Sequence, residues 1–468
     1  MKNKKLWIVF LITIGVVFLL TWIIPSTITN ESGALVVDKI NPVGIWDLFY
    51  YLSLQLAWFF PTTLFLIFTA IFYGVVNKTG ALRYLTEKIT SLIKNKEKIF
   101  VILLATFIII LTSLTGISYA LMFFVPFLMA VLLSIGFSKV VSLISIIGSI
   151  LLGYIGTFYA TSLYLVIASY VEPGITYGVY KLVLVILGIL VMGLYLYFCA
   201  KILKGKEKEE IDESILFIEK IPGKKKVKLW PIITALSVIL GMFILGLTPW
   251  VEMYKLDIFT NFYNFLIEFE LFGFPIFKSI LGVTTPELGT WSLTETSILI
   301  AIVTFVMALI YKVKWDEVYD GIVSGIKKFL PTILFVTLAS MTFTFLSQTG
   351  ILTTIVNFIM GLTNGFNLFT YSLVSFLGAA FVNETYITNY VTGAANTVLQ
   401  GSIEIPLLVF IQQTMFGLAM LITPVSIYLL TGLAYFEIEY SKWLKNIWKI
   451  LLAMFIVVMI TLYILMLL

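Results

Sequence analysis

The chain has 468 residues, 60% of them hydrophobic and 12% charged, with a mean hydropathy of +1.06, which excludes a soluble globular protein. Its net charge of +5 comes mostly from lysines outside the apolar runs, the positive-inside pattern, and implies no nucleic-acid partner. The absence of histidine removes the commonest general base and metal ligand, and the single Cys199 excludes an internal disulfide.

Apolar runs of about 20 residues, the length a helix needs to cross a bilayer, recur from residue 6 to the end. The expected fold is therefore an all-α polytopic membrane protein, a helical bundle rather than a barrel. The first run, "LWIVFLITIGVVFLLTWIIP", follows Lys2, Lys4 and Lys5 and lacks a small-residue cleavage site, so it reads as a retained first helix. Among the basic residues Arg83 is the one arginine against 29 lysines, which reads as a usage bias rather than chemistry.

The next stretch, "FFPTTLFLIFTAIFYGVVNKTGALRYLTEKI" (59–89), aligns without gaps on "FLPTILFVTLASMTFTFLSQTGILTTIVNFI" (329–359). Pro61 falls on Pro331, Thr62 on Thr332 and Thr79-Gly80 on Thr349-Gly350, so the chain reads as two copies of one unit. Segment 83–98 carries Arg83, Lys88, Lys94, Lys96 and Lys98 against two glutamates, while its counterpart 353–368 carries no charge. The positive-inside rule puts the first in the cytoplasm and the second outside, which makes the repeats inverted. The lysine-rich linker 201–229 also reads as cytoplasmic, and 250–290, with five acids and two lysines, as external. Inverted repeats are characteristic of secondary transporters.

Within each copy two polar breaks interrupt the apolar runs. Segments 98–139 and 369–404 read as re-entrant hairpins. Their tips are Thr112, Ser113, Thr115, Gly116 and Ser118 in the first copy, and Asn383, Glu384, Thr385, Thr388 and Asn389 in the second. Broken helices follow at "GYIGTFYATS", with Thr157, Thr161 and Ser162, and at "GLAMLITPVS", where Pro424 splits the helix between Thr423 and Ser426. For any one hydroxyl, close helix packing is the ordinary explanation; four clusters at matching positions favour a site. Ser113, Thr115, Ser118, Asn383, Glu384, Thr385, Asn389, Thr423 and Ser426 are the candidates for binding substrate. Thr157, Thr161, Ser162 and Glu384 are the candidates for coupling to Na⁺ or H⁺, the only cofactor expected; no metal centre is expected.

Glu384 and Glu404 are the only charged residues between 329 and 436, and an ionised carboxylate inside the bilayer costs about 3 kcal/mol on insertion scales. Three uses for Glu384 stay open: counter-charge for a cationic substrate, carrier of a coupling proton, or a protonated hydrogen-bonding group with no transport role. No Lys or Arg other than Lys139 is expected near the breaks, which points to a zwitterionic or cationic amino acid. Tyr119 or Tyr386 could face its cationic group, although ordinary packing accounts for most aromatics here. A membrane-embedded enzyme would need a nucleophile with its base or paired carboxylates, and no span offers them, so the chain reads as a non-enzyme.

The stretch 412–445, with its "ITP-x-S" break (Ile422, Thr423, Pro424, Ser426) and "YSKWLK" run (Tyr440 to Lys445), resembles the YfcC-type and anaerobic four-carbon dicarboxylate carrier-like permeases of the ion transporter superfamily. The early "LTWIIPS" resembles that family's first helix. The resemblance implies uptake or exchange of small carboxylates or amino acids, arginine/ornithine exchange among them, and a homodimer. The chain departs from the family's pattern with Asn383-Glu384-Thr385 at the second tip, where relatives are serine-rich, and with Met420 where they often have Asn. The expected organisation is a first repeat over 1–200, a linker, extra helix and external loop over 201–290, and a second repeat over 291–468. About nine crossings would place the N-terminus in the cytoplasm and the C-terminus outside the cell membrane, with 80–97 and 350–366 as scaffold arms. The partners expected are a small-molecule substrate and the lipid bilayer.

Overall fold

The computed structural model describes residues 4–29, 35–160, 174–203, 212–221, 227–282, 284–339, 341–363, 365–381 and 404–467. The first half forms α1 (Lys4–Leu20), an antiparallel pair β1 (Thr27–Thr29) and β2 (Leu35–Val37), α2 (Ile45–Trp58), α3 (Phe60–Asn77), α4 (Ala81–Ile93), α5 (Glu97–Thr115), α6 (Val125–Ile135), α7 (Lys139–Ile155) and α8 (Gly178–Cys199). Then come α9 (Trp230–Leu247) and three short helices in the segment read as external, α10 (Trp250–Tyr254), α11 (Ile258–Glu268) and α12 (Ile276–Leu281). The second half forms α13 (Leu293–Ile310), α14 (Trp315–Ala339), α15 (Met341–Gln348), α16 (Ile351–Met360), α17 (Leu368–Phe381), α18 (Ile405–Met420), α19 (Ile427–Tyr435) and α20 (Tyr440–Leu467). Among the described residues seven helices are long and apolar enough to cross a bilayer: α3, α5, α8, α9, α13, the α14–α15 run and α20. The chain is an all-α polytopic membrane protein.

Some residues of the aligned segments 59–89 and 329–359 share local geometry. Gly80 and Gly350 each start a helix in the left-handed conformation, at φ 73° and 71°, which is open to glycine without a Cβ clash. The preceding threonines bond back into their helices, Thr79 to the Val76 carbonyl at 2.6 Å and Thr349 to the Phe345 carbonyl at 2.5 Å. The helices that follow, α4 and α16, are both amphipathic. The two segments differ at the aligned prolines: Pro61 stands in the first turn of α3, whereas Pro331 lies inside the continuous α14. Proline fits a first turn, and inside a membrane bundle neighbouring groups re-satisfy the carbonyl it frees.

Helix α3 packs against α13 and α14. Ala70 and Gly74 of α3 meet Gly321 and Gly325 of α14 so closely that a Cβ on Gly74 would overlap the Gly321 carbonyl, and one on Gly325 the Ala70 carbonyl. Small residues four apart on both helices permit this backbone contact, which is how helices associate where lipid removes the hydrophobic drive.

The linker is more than a charged tether. Residues 212–221 fold back onto the bundle, burying Leu216, Phe217 and Ile218. Arg83 donates to Glu87 at 2.8 Å, Glu213 at 2.9 Å and the Ile218 carbonyl at 3.0 Å. From the second half, Lys328 donates to the Ser214 carbonyl at 2.8 Å and to Glu219 at 3.3 Å, and Tyr435 donates to the Ile215 carbonyl at 2.5 Å. Arg83 therefore has a specific job that a usage bias does not describe: one planar fork serves two carboxylates and a carbonyl, which an ammonium serves less well. Arg83→Gln is expected to speed trypsin cleavage of the lysine-rich linker about fivefold, by raising the population in which 212–221 has left the bundle. Equal cleavage rates in variant and wild type would remove this role from Arg83.

Candidate functional site

The first polar cluster lies further along than the apolar run suggests. Helix α5 continues through Thr112, Ser113 and Thr115 to a length of 19 residues, about 28 Å, enough to cross the hydrocarbon layer. The break falls at Gly116, φ 73°, through Ser118. Hydroxyls do not stop a helix when they can bond back into it: Thr115 donates to the Leu111 carbonyl at 2.6 Å and accepts from the Ile117 amide at 3.2 Å. The chain returns through a 3₁₀ segment, Tyr119–Phe124, into α6. Helix α6 packs on α4, while α5 packs on α7 and α8. From α10, the Tyr254 hydroxyl donates to the Leu114 carbonyl at 2.5 Å.

The first break comes where α7 ends. A Cβ on Gly153 would strike α5, and one on Gly156 would strike Val185 and the Lys181 carbonyl of α8, so these glycines let α7 lie against both helices. The ends of α5 and α7 are then bonded to each other. Ser113 donates to the Gly156 carbonyl at 3.0 Å; Thr157 donates to the carbonyls of Ser113 at 3.1 Å and Thr112 at 3.3 Å; the Phe158 amide donates to Ser113 at 3.1 Å.

Two residues the sequence reading passed over complete this region. From α18 the Gln413 amide donates to the carbonyls of Thr157 at 2.7 Å, Ile155 at 3.3 Å and Tyr154 at 3.4 Å. From α8 the Lys181 ammonium donates to the Phe158 carbonyl at 2.9 Å and lies 5.7 Å from the centre of the Phe410 ring. Lys181 is 1% exposed, and among the described residues it is the one charged side chain that is buried. The expectation of no basic residue near the breaks is thereby corrected. In sequence Lys181 stands four residues into an apolar helix, where a lysine ordinarily snorkels to the interface, so its position alone gave no signal.

The helix around Pro424 is split as expected. Helix α18 ends at Met420, and Ser426 caps α19 by accepting from the Leu429 amide at 3.4 Å. Trp443 donates to the freed Leu421 carbonyl at 2.8 Å, and the Tyr440 hydroxyl donates to the Ile422 carbonyl. The "YSKWLK" run therefore caps the backbone of the "ITP" break, which gives the pair of motifs one physical meaning. Thr423 donates to the Ala380 carbonyl near the end of α17, as Thr157 does to the end of α5.

The two halves of the chain also meet across the molecule. Tyr428 donates to the Ser118 hydroxyl at 2.8 Å, and the hydroxyls of Tyr119 and Thr431 lie 2.9 Å apart. The Tyr119 and Tyr428 ring centres are 5.4 Å apart, so Tyr119 is engaged in packing between the halves. Ser113, Thr115, Ser118, Thr157, Thr423 and Ser426 thus all have protein partners at the two breaks. Thr161, Ser162, Asn383, Glu384, Thr385, Tyr386, Thr388 and Asn389 lie outside the described residues. Apolar cavities lined by Leu104, Leu121 and Leu240, and by Phe369, Met415 and Leu452, contain none of the candidate side chains. The chemistry gathered at the breaks is hydroxyls, helix-end carbonyls, the Gln413 amide and one buried lysine.

The profile of the family described as DcuC, C4-dicarboxylate anaerobic carrier, matches residues 60–467. Among solved structures the chain is similar to the Alcanivorax borkumensis YdaH transporter, described as having an unusual topology, at 12% identity and a TM-score of 0.41, over 98% of each chain. It is also similar to Neisseria gonorrhoeae MtrF, described with a class of antimetabolite efflux pumps, at 12% identity and a TM-score of 0.40, over 98% of this chain and 94% of that one. No curated protein sequence matches the chain.

Proposed function

The chain belongs to the C4-dicarboxylate anaerobic carrier family, DcuC, and from that premise we propose that it is a secondary carrier moving C4-dicarboxylates across the cytoplasmic membrane. Its N-terminus lies in the cytoplasm, and its two copies are inverted and move against each other around the paired breaks.

The observation that carries the substrate reading is Lys181, a buried ammonium bonded to the first break. A positive charge there favours an anionic substrate, whose carboxylates can also use break hydroxyls and half-helix N-termini such as that of α19 at Ser426. The reading for arginine/ornithine exchange leaned on an absence of positive charge near the breaks, and the family lends it no support. With a dianion as cargo, Glu384 falls to the second of its three uses, carrying a coupling proton.

The test is counterflow in proteoliposomes with labelled succinate and fumarate, run beside labelled arginine and ornithine. Saturable exchange of the dicarboxylates alone is expected. Glu384→Gln should keep that counterflow and lose uptake driven by a pH gradient. Exchange confined to arginine and ornithine would overturn the dicarboxylate reading.

A further inference from the structure

The Lys181 ammonium occupies a particular place in the fold. Helix α7 stops at Ile155; the Tyr154 carbonyl still accepts from the Thr157 amide at 3.2 Å, and the carbonyls beyond it turn to donors outside the helix. Those carbonyls gather the partial negative charge of the half-helix C-terminus, the end that attracts cations. In a broken membrane helix such carbonyls are where a coupling Na⁺ binds. Here their neighbours are donors of the protein itself: Ser113 on Gly156, Gln413 on Thr157 and Ile155, and Lys181 on Phe158. Among these donors only Lys181 brings a full charge, and it comes from another helix with its stem buried. The Phe410 ring face, 5.7 Å away, adds a second favourable electrostatic contact for a cation.

We propose that Lys181 is a tethered cation that takes the place of a coupling sodium ion at the first-copy break. A free Na⁺ must be captured and released in each cycle, whereas a covalently attached amine stays at the half-helix end throughout. The bonded unit of Ser113, Thr157 and Phe158 then keeps its geometry with or without sodium in solution. The inference rests on reading the α5–α7 junction as part of the transport site, and it specifies which ion that half of the site does without.

The measurement is the Na⁺ dependence of counterflow, with choline as the replacing cation, for wild type, Lys181→Ala and Lys181→Met. Lys181→Ala opens space for an ion; Lys181→Met removes the charge but fills the space. In Na⁺-free buffer both variants are expected to lose at least about tenfold in rate, because the carbonyl cluster is left without its counter-charge. Lys181→Ala should recover with added Na⁺ or ethylammonium, with a Na⁺ dependence steeper than that of wild type by about one ion. Lys181→Met should recover with neither. Thermal unfolding of the purified proteins in detergent reads the same difference without transport: Na⁺ should raise the Tm of Lys181→Ala and leave wild type unmoved. Should Lys181→Ala fail to fold in choline, its recovery as folded protein when prepared in Na⁺ is expected, and failure in both salts would count against the proposal. Equal Na⁺ dependence in wild type and Lys181→Ala, or Na⁺-free transport by Lys181→Ala at the wild-type rate, would overturn it. The comparison uses whichever labelled substrate exchanges, so a failed dicarboxylate reading and a failed Lys181 reading give separate results.

Discussion

Gly74→Ala and Gly325→Leu are expected to leave little or no folded protein. At each position the first atom of a new side chain would overlap a backbone carbonyl of the facing helix, Gly321 for one and Ala70 for the other. A flexible side chain could turn aside, but a carbonyl fixed in its own helix cannot, so α3 and α14 would have to part. Overpacking of this kind costs about 1–3 kcal/mol where the neighbour yields and more where it does not, and α3 is the helix on which both α13 and α14 rest. Size-exclusion of detergent extracts should show the monodisperse peak lost for Gly325→Leu and strongly reduced for Gly74→Ala. As a control, Gly241→Ala adds a methyl at a helix position with open space around it and should behave as wild type. A normal peak and Tm for Gly325→Leu would mean that the α3–α14 crossing is looser than described.

Gln413→Leu is the second large effect. The side chain is fully buried, and its amide serves carbonyls of Tyr154, Ile155 and Thr157 at the end of α7. Leucine fills similar space without donors, and a buried acceptor left unpaired costs about 1–3 kcal/mol, so a loss of about 3 kcal/mol is expected when the best of the three bonds goes and the others follow. Transport should fall by at least about tenfold, because Gln413 ties α18 to the carbonyls at the end of α7. Gln413→Glu should be worse wherever the carboxyl ionises, since it sets an anion against carbonyl oxygens. The readouts are Tm in detergent and the counterflow rate. A Gln413→Leu protein with unchanged Tm and unchanged rate would assign Gln413 to packing alone.

Both predictions concern residues that carry no signal in the sequence. Gly74 and Gly325 are two of 31 glycines, and Gln413 is an amide in an apolar run. The breaks were legible for a different reason. Pro424, the Gly116–Ser118 stretch and the Thr-Gly pairs act on their own backbone, through a missing amide or a left-handed turn, so their effect is written locally. Even so, Thr112, Ser113 and Thr115 looked like the break itself, and they proved to be helical: the Thr115 hydroxyl finds an acceptor within α5 and that of Ser113 finds one at Gly156, just past the end of α7. Whether a threonine ends a helix depends on what stands beside it. The same holds for Arg83, ordinary by composition and specific once 212–221 folds against it.

The sequence by itself determined that this protein lies in a membrane, where most of its apolar helices run and to which family it is related. Hydropathy and helix-breaking are properties of short segments. Only the tertiary structure decided that Lys181 reaches Phe158, that Gln413 reaches the end of α7, that Tyr440 and Trp443 cap the Pro424 break, and that α3 and α14 touch backbone to backbone. In each case two segments far apart in the chain supply one half of an interaction each, and neither half shows in its own segment what it will meet.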